Sequence, residues 1–155
     1  MKALIQRVSS GSVNVGEKTI AAIGKGLVQA CHDLSEGGLA VAASEMCIGG
    51  GLGLKLDISG FIPHGEKPTR GLFGETTGCM LVEVDPNKQA EFEGIIRDTM
   101  IIEGSETSSP SEAVHQIGEV IAEFRLLIQQ NRDSLIDVDG SDLEKAWNVP
   151  EWTRS

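Results

Sequence analysis

The chain has 155 residues, with 40% hydrophobic but only 4% aromatic residues, and a formal charge of −10. That length suits one domain, or one domain plus an appendage, with a core of aliphatic side chains. The acidic balance excludes nucleic acid as a main partner and disfavours anionic membranes, because phosphate binding needs clustered Lys and Arg and the sequence has no basic run.

In residues 2–8, Leu4, Gln6 and Val8 alternate with Ala3, Ile5 and Arg7, which predicts a strand. A turn at 9–12 and a second short strand at 12–15, closed by Gly16, complete a hairpin. Residues 19–23 fit either a strand or a helical turn, and Gly24 and Gly26 break the pattern. A short apolar strand at 27–30 leads into Cys31-His32-Asp33-Leu34-Ser35-Glu36-Gly37-Gly38-Leu39. The first clear helix begins at 35 or 37 and runs to 48, with Leu39, Ala42, Ala43 and Met46 as its apolar face. Gly49-Gly50-Gly51 ends it.

Leu52, Leu54 and Leu56 alternate with Gly53, Lys55 and Asp57, as in a half-buried strand. Residues 59–74 read as a loop with room for a helical turn, broken by Pro63, Gly65 and Pro68. A strand at 79–84 is followed by a helix from Pro86 to about residue 97, with proline at the first helical position. Residues 104–111 make a polar surface loop. Strands follow at 114–120, 125–129 and 135–138, the last two joined by a turn at Asn131-Arg132-Asp133. Ser141 caps a final helix at 142–147, and Pro150 ends it. Strands interleaved with helices over one sheet imply an α/β or α+β sandwich.

Cys31, Cys47 and Cys79 contain no CxxC pair, so they read as small core hydrophobes in a reducing cytoplasm rather than as zinc or redox ligands. No secretory hydrophobic region and no apolar run of membrane-spanning length occurs. The candidate chemistry sits at the entrance to the first helix. His32 and Asp33 can orient a substrate or act as acid and base; they can equally tie down the strand-to-helix turn. Ser35 is an N-cap candidate for the Gly38 N–H. Alternatively, Ser35 and the N–H groups of Gly37 and Gly38 face a phosphate, where glycine permits close approach and the helix end is positive. Glu75, Thr76 and Thr77 precede a strand and either line a cleft or supply its entry turn. Gly49, Gly50, Gly51 and Gly53 follow a helix instead of opening one, which is wrong for a dinucleotide loop. His64 and His115 have no ligand partners in the sequence, no metal-ligand set appears, and there is no Gly-x-x-x-x-Gly-Lys-Ser/Thr loop.

Several ordered blocks carry a resemblance. They are Gly26-Leu27-Val28, the segment from Cys31 to Ala42, Gly50-Gly51-Leu52-Gly53, and Leu72-Phe73-Gly74-Glu75-Thr76-Thr77-Gly78-Cys79-Met80-Leu81-Val82-Glu83-Val84. Ile117-Gly118-Glu119-Val120 and Leu143-Glu144-Lys145-Ala146-Trp147 complete the set. Residues 22–147 thereby resemble the C-terminal domain of the aminoimidazole-ribonucleotide-synthetase-related superfamily. Within it they are most similar to the last domain of the large subunit of phosphoribosylformylglycinamidine synthase. Where that family usually reads Leu-Phe-Ser-Glu-Ser, Gly74 has lost a hydroxyl, and with it the ground for a phosphate contact there.

The first residues look different. Met1-Lys2-Ala3-Leu4-Ile5-Gln6-Arg7-Val8-Ser9, Ser12-Val13-Asn14-Val15 and Ala22-Ile23-Gly24-Lys25-Gly26-Leu27 are similar to the opening of bacterial D-aminoacyl-tRNA deacylases. The later deacylase signatures do not occur, so that activity is not expected. A fused chain and a coincidental extension both account for the junction.

The resemblance implies a three-layer α/β/α sandwich with a mixed sheet and partial ferredoxin-like topology. Residues 27–150 would form it, with 1–26 as an N-terminal β-hairpin and 151–155 as a tail. It also implies a role in the ATP-dependent conversion of an amide to an amidine in purine biosynthesis. The candidate substrate or phosphate contacts are His32, Asp33, Ser35, Gly37, Gly38, Glu75 and Thr76, with no confident catalytic residue and no metal site. ATP and magnesium are implied for the whole enzyme, and no cofactor for this chain alone. The implied partners are a nucleotide-binding domain and a glutaminase subunit, so the chain by itself is not expected to turn over. The competing reading is a noncatalytic, self-associating cytoplasmic module that buries an exposed interface as a homo-oligomer.

Overall fold

The computed structural model describes residues 12–15, 18–22, 27–62, 65–75, 79–102 and 114–148. The chain divides into two units, residues 1–32 with 82–116 and residues 33–81 with 117–155. The expected strand at 2–8, the loop at 104–111 and the tail lie outside the described residues, as do His64, Thr76 and Thr77.

In the first unit, β1 (Ser12–Val15) pairs antiparallel with β2 (Lys18–Ala22), Ser12 opposite Ala22 and Val15 opposite Lys18. The hairpin partner of 12–15 is therefore the following segment, whereas the sequence suggested 2–8. β3 (Val28–Asp33) runs three residues further than the apolar stretch predicts and pairs with β5 (Met80–Val84). Pairing supplies the backbone partners that let polar residues stay extended. His32 and Asp33 consequently lie on a strand, not in the turn after it. Period-2 geometry puts His32 on the same face as Val28, and both are buried.

Asp85 accepts a hydrogen bond from the Asn87 N–H at 2.9 Å and opens a 3-10 turn, Pro86–Lys88. Only then does α3 (Gln89–Ile102) begin, ending five residues beyond the expected boundary. Val28 and Phe92 centre the core of this unit, with Cys31, Val82, Val84 and Val114 packed around them.

The second unit is built on a mixed sheet in the order β6-β4-β7-β8. β4 (Gly53–Asp57) pairs antiparallel with β6 (Gly118–Ile121) and parallel with β7 (Arg125–Gln130). β7 continues antiparallel into β8 (Asp133–Asp139). The register sets Leu54 beside Leu126 and Leu56 beside Ile128, so four buried aliphatics share one face while Lys55 and Asp57 are exposed. Leu39, Ala42, Ala43 and Cys47 from α1 (Gly38–Gly50) share that core, with Leu34, Ile58, Ile62 and Leu72. β6 starts later than the expected strand at 114–120, because residues 114–117 make no ladder.

The end of the predicted 59–74 loop is a six-residue helix, α2 (Pro68–Phe73). α4 (Gly140–Trp147) is capped by Asp139, whose carboxylate accepts from the Ser141 N–H at 2.9 Å. Ser141 is thus the recipient of the cap instead of its source, because β8 extends to Asp139. The expected class, α/β with a mixed sheet, is the one observed. No helix among the described residues is long and apolar enough to cross a membrane.

Candidate functional site

The link from β3 to α1 is tied down by backbone. The Leu34 N–H donates to the Cys79 carbonyl at 3.0 Å, and Leu34 itself enters the core. The chain then turns at Gly37, with φ +81°, and Gly38, with φ +64°, before α1 begins. Both angles belong to the left-handed region that glycine adopts without strain. The Gly38 N–H donates to the backbone carbonyl of Ser35 at 3.1 Å. This corrects the expected cap, since the Ser35 hydroxyl does not serve the helix. A neighbouring carbonyl already satisfies that donor. No side chain caps α1 and no acidic residue lies in its first turn. No acidic side chain of the helix's own first turn therefore offsets its positive end.

Gly38 packs against the end of α2. A Cβ at this position would lie 2.8 Å from the Gly74 carbonyl oxygen and 2.9 Å from that of Leu72. The fold thus brings the Gly37-Gly38 turn and the 72–74 segment, two of the quoted blocks, side by side. Gly74 ends α2 with its N–H on the Arg70 carbonyl at 2.8 Å, and Glu75 follows, exposed.

His32 is 6% exposed, the only polar or charged side chain among the described residues that is buried. No buried side-chain nitrogen or oxygen among them lacks a hydrogen-bond partner, so the imidazole is held in place. Asp33 and Ser35 are half-buried. Gly49 and Gly50 form the last turn of α1. Gly51 caps it with φ +63° and its N–H on the Cys47 carbonyl at 2.9 Å, as a helix stop and not a nucleotide loop. All three cysteines are free thiols. Burial pushes the Cys47 thiol up to about 11, against a smaller lowering by a backbone hydrogen bond from Leu54. It is an inert core residue at neutral pH.

No three His, Cys, Asp or Glu side chains come together as a metal cluster among the described residues. Sequence reasoning passed over Lys67 and Arg70, the cations on α2. Their spacing of three residues in an otherwise acidic chain was the signal available.

Residues 13–129 match the model of the family described as AIR synthase related protein, C-terminal domain. Among curated relatives, the phosphoribosylformylglycinamidine synthase subunit PurL of Limosilactobacillus reuteri is 38% identical over 131 residues, 84% of this chain and 15% of that protein. The same subunit of Lactobacillus helveticus is 35% identical over 126 residues, 81% of this chain and 14% of that protein. The chain thus spans about one seventh of the length of these relatives. Among solved structures, Thermotoga maritima PurL complexed with ATP matches with a TM-score of 0.61 and 25% identity, covering 78% of this chain and 19% of that one.

Proposed function

The chain belongs to the AIR synthase related protein family, as its C-terminal domain, and from that premise we propose that it serves as the C-terminal domain of a phosphoribosylformylglycinamidine synthase. In this reading it takes part in purine biosynthesis, where ATP activates an amide oxygen and ammonia replaces it to give an amidine. The observation that carries the reading is the identity of 35–38% over more than four fifths of the chain. The packing of Gly38 against residues 72–74 supports it, because it joins two of the blocks on which the resemblance rests.

Within that enzyme each element has a task. Apart from the Gly38 N–H, which the Ser35 carbonyl holds, the uncapped end of α1 presents backbone N–H groups and a positive dipole to a substrate phosphate, with the Ser35 hydroxyl beside it. His32 and Asp33 hold the strand end that aims this turn, and Asp33 orients substrate. Glu75, exposed, follows the same segment. The nucleotide and magnesium are bound by the rest of the enzyme, which also receives ammonia from a glutaminase partner in the cytoplasm. The described residues offer no donor set for a metal, so no step is assigned to one here.

The test is a graft. Residues 13–148 replace the corresponding domain of the Limosilactobacillus reuteri subunit, and ATP-dependent amidine formation is followed with ammonium as nitrogen source. Turnover of the graft, with none from the chain alone, is expected. A folded graft without turnover would overturn the reading. The second reading, a self-associating module, is favoured by β6, an edge strand of the mixed sheet whose residues Gly118 to Val120 are exposed. Sedimentation distinguishes it, since a dimer at micromolar concentration would support that reading.

A further inference from the structure

A depression of about 550 Å³, open to solvent, runs along α2 and is lined by Gly65, Glu66, Lys67, Thr69, Arg70, Phe73 and Gly74. Its position is set by the opposite side of the helix. Leu72 is buried in the second core, and Gly71 lies against Ile62 so closely that a Cβ would collide with it. Lys67, Arg70 and Phe73 recur every three residues and so form one stripe. The stripe is chemically unusual for this molecule. The net charge is −10 and there are only four phenylalanines, yet here two cations flank a Phe ring that is 53% exposed.

The two cations are differently placed. Arg70 is held by Glu66 at 2.9 Å, which orders its guanidinium at the depression. Lys67 makes no ion pair among the described residues, whereas Arg125 and Lys145 are matched by Asp137 at 2.6 Å and Asp142 at 2.7 Å. Thr69 adds a hydroxyl that can donate.

We propose that this depression binds a small anion carried on a planar ring, a ring-linked phosphate or carboxylate, with the anionic group on Lys67 and Thr69 and the ring against Phe73. The charge of Arg70 is offset by Glu66, which also lines the site, so Lys67 is the direct cationic contact. The side chains of Lys67, Thr69 and Phe73 have no part in the proposed synthase role, which draws only on the backbone of residues 72–74, so the proposal stands or falls separately from the graft experiment.

The 155-residue chain is titrated with phenyl phosphate, benzoate and inorganic phosphate while backbone amide resonances are followed. Saturable shifts at Gly65, Thr69 and Gly74 are expected, with phenyl phosphate binding more tightly than inorganic phosphate. Comparison with benzoate decides between phosphate and carboxylate. Phe73→Ala should weaken phenyl phosphate about fivefold and leave inorganic phosphate unchanged. Lys67→Gln should weaken both ring compounds about fivefold. All these side chains are exposed, so the variants keep the fold, which the unshifted resonances of β4 and β7 verify. Lys55→Gln, an exposed cation on β4, serves as the control and should change nothing. Shifts that do not saturate, or that respond to Lys55→Gln as much as to Lys67→Gln, would overturn the proposal.

Discussion

Gly38 and Gly51 have nearly the same backbone angle, φ +64° and +63°, but different surroundings. Nothing lies within 4 Å of a Cβ built on Gly51, so a side chain there meets only conformational strain, about 1 kcal/mol. At Gly38 the Cβ would also meet the Leu72 and Gly74 carbonyl oxygens, which are backbone and cannot swing aside. Gly38→Ala is expected to lose about 2–4 kcal/mol, against about 1 for Gly51→Ala, as read from urea midpoints at unchanged slope. Equal losses would mean that the contact between α1 and α2 does not fix the entrance to the helix. Cys47 makes a separate prediction. Its folded value of about 11 lies above the ordinary thiol value of 9.0, so the protonated thiol favours the folded state. That contribution is complete below pH 9 and is lost as the pH rises through 11, amounting to about 3 kcal/mol. The chain has no tyrosine to titrate in the same window. Unfolding measured from pH 8 to 11 should show a fall that Cys47→Ala flattens, although the variant leaves a cavity at neutral pH.

The β7–β8 hairpin turns on Asn131 and Arg132, with φ +52° and +74°. Two successive left-handed residues make the primed type of turn that matches strand twist, and glycine is favoured at its second position. Arg132→Gly should therefore stabilise the chain by about 0.5–1 kcal/mol in the same unfolding assay, and destabilisation would contradict that geometry. The turn is anchored to the far end of β4, where the Asn131 N–H donates to the Ser59 hydroxyl at 2.7 Å. The Ser59 hydroxyl and N–H in turn donate to Asp57 and hold its carboxyl below the usual carboxylate range. This contribution is present above the ordinary carboxylate value and is lost as pH falls through the depressed one. A carboxyl titration by NMR should show the Asp57 value rising in Ser59→Ala. Elements of this kind explain what could be foreseen. The alternation of Leu54 and Leu56, the Asp85-Pro86 opening and the glycine stop after α1 are local signals that the structure keeps, while Leu52 precedes β4 and is exposed. The extension of β3 through His32 and Asp33, the pairing of β1 with β2 and the move of the α4 cap to Asp139 depend on partner strands elsewhere in the chain. The site divides the same way. Gly37 and Gly38 were visible as a helix entrance, while the approach of residues 72–74 to Gly38 is a contact over more than thirty positions that no local pattern encodes.

At the scale of the molecule, the mixed sheet of the second unit carries an extended aliphatic core. The second core has thirteen buried residues among those described, and the first has Val28 and Phe92. Burial of aliphatic side chains dominates stability, at roughly 25 cal/mol per Å², so the thirteen-residue core around the mixed sheet stabilises that sheet strongly. Within it β4 and β7 each have ladder partners on both sides, whereas among the described residues β1 and β2 form a two-stranded ladder. A two-stranded ladder is marginal by itself. Hydrogen exchange should therefore be slowest for the amides of β4 and β7 and fastest, among the strands, for β1 and β2. Ile128, fully buried at the centre of β7, tests the same point by mutation. Ile128→Ala should cost about 2–5 kcal/mol and reduce protection across β4, β7 and β8 together, since these strands share one core. Loss of protection confined to the amides beside residue 128 would show instead that the sheet opens strand by strand and that its core is not a cooperative unit.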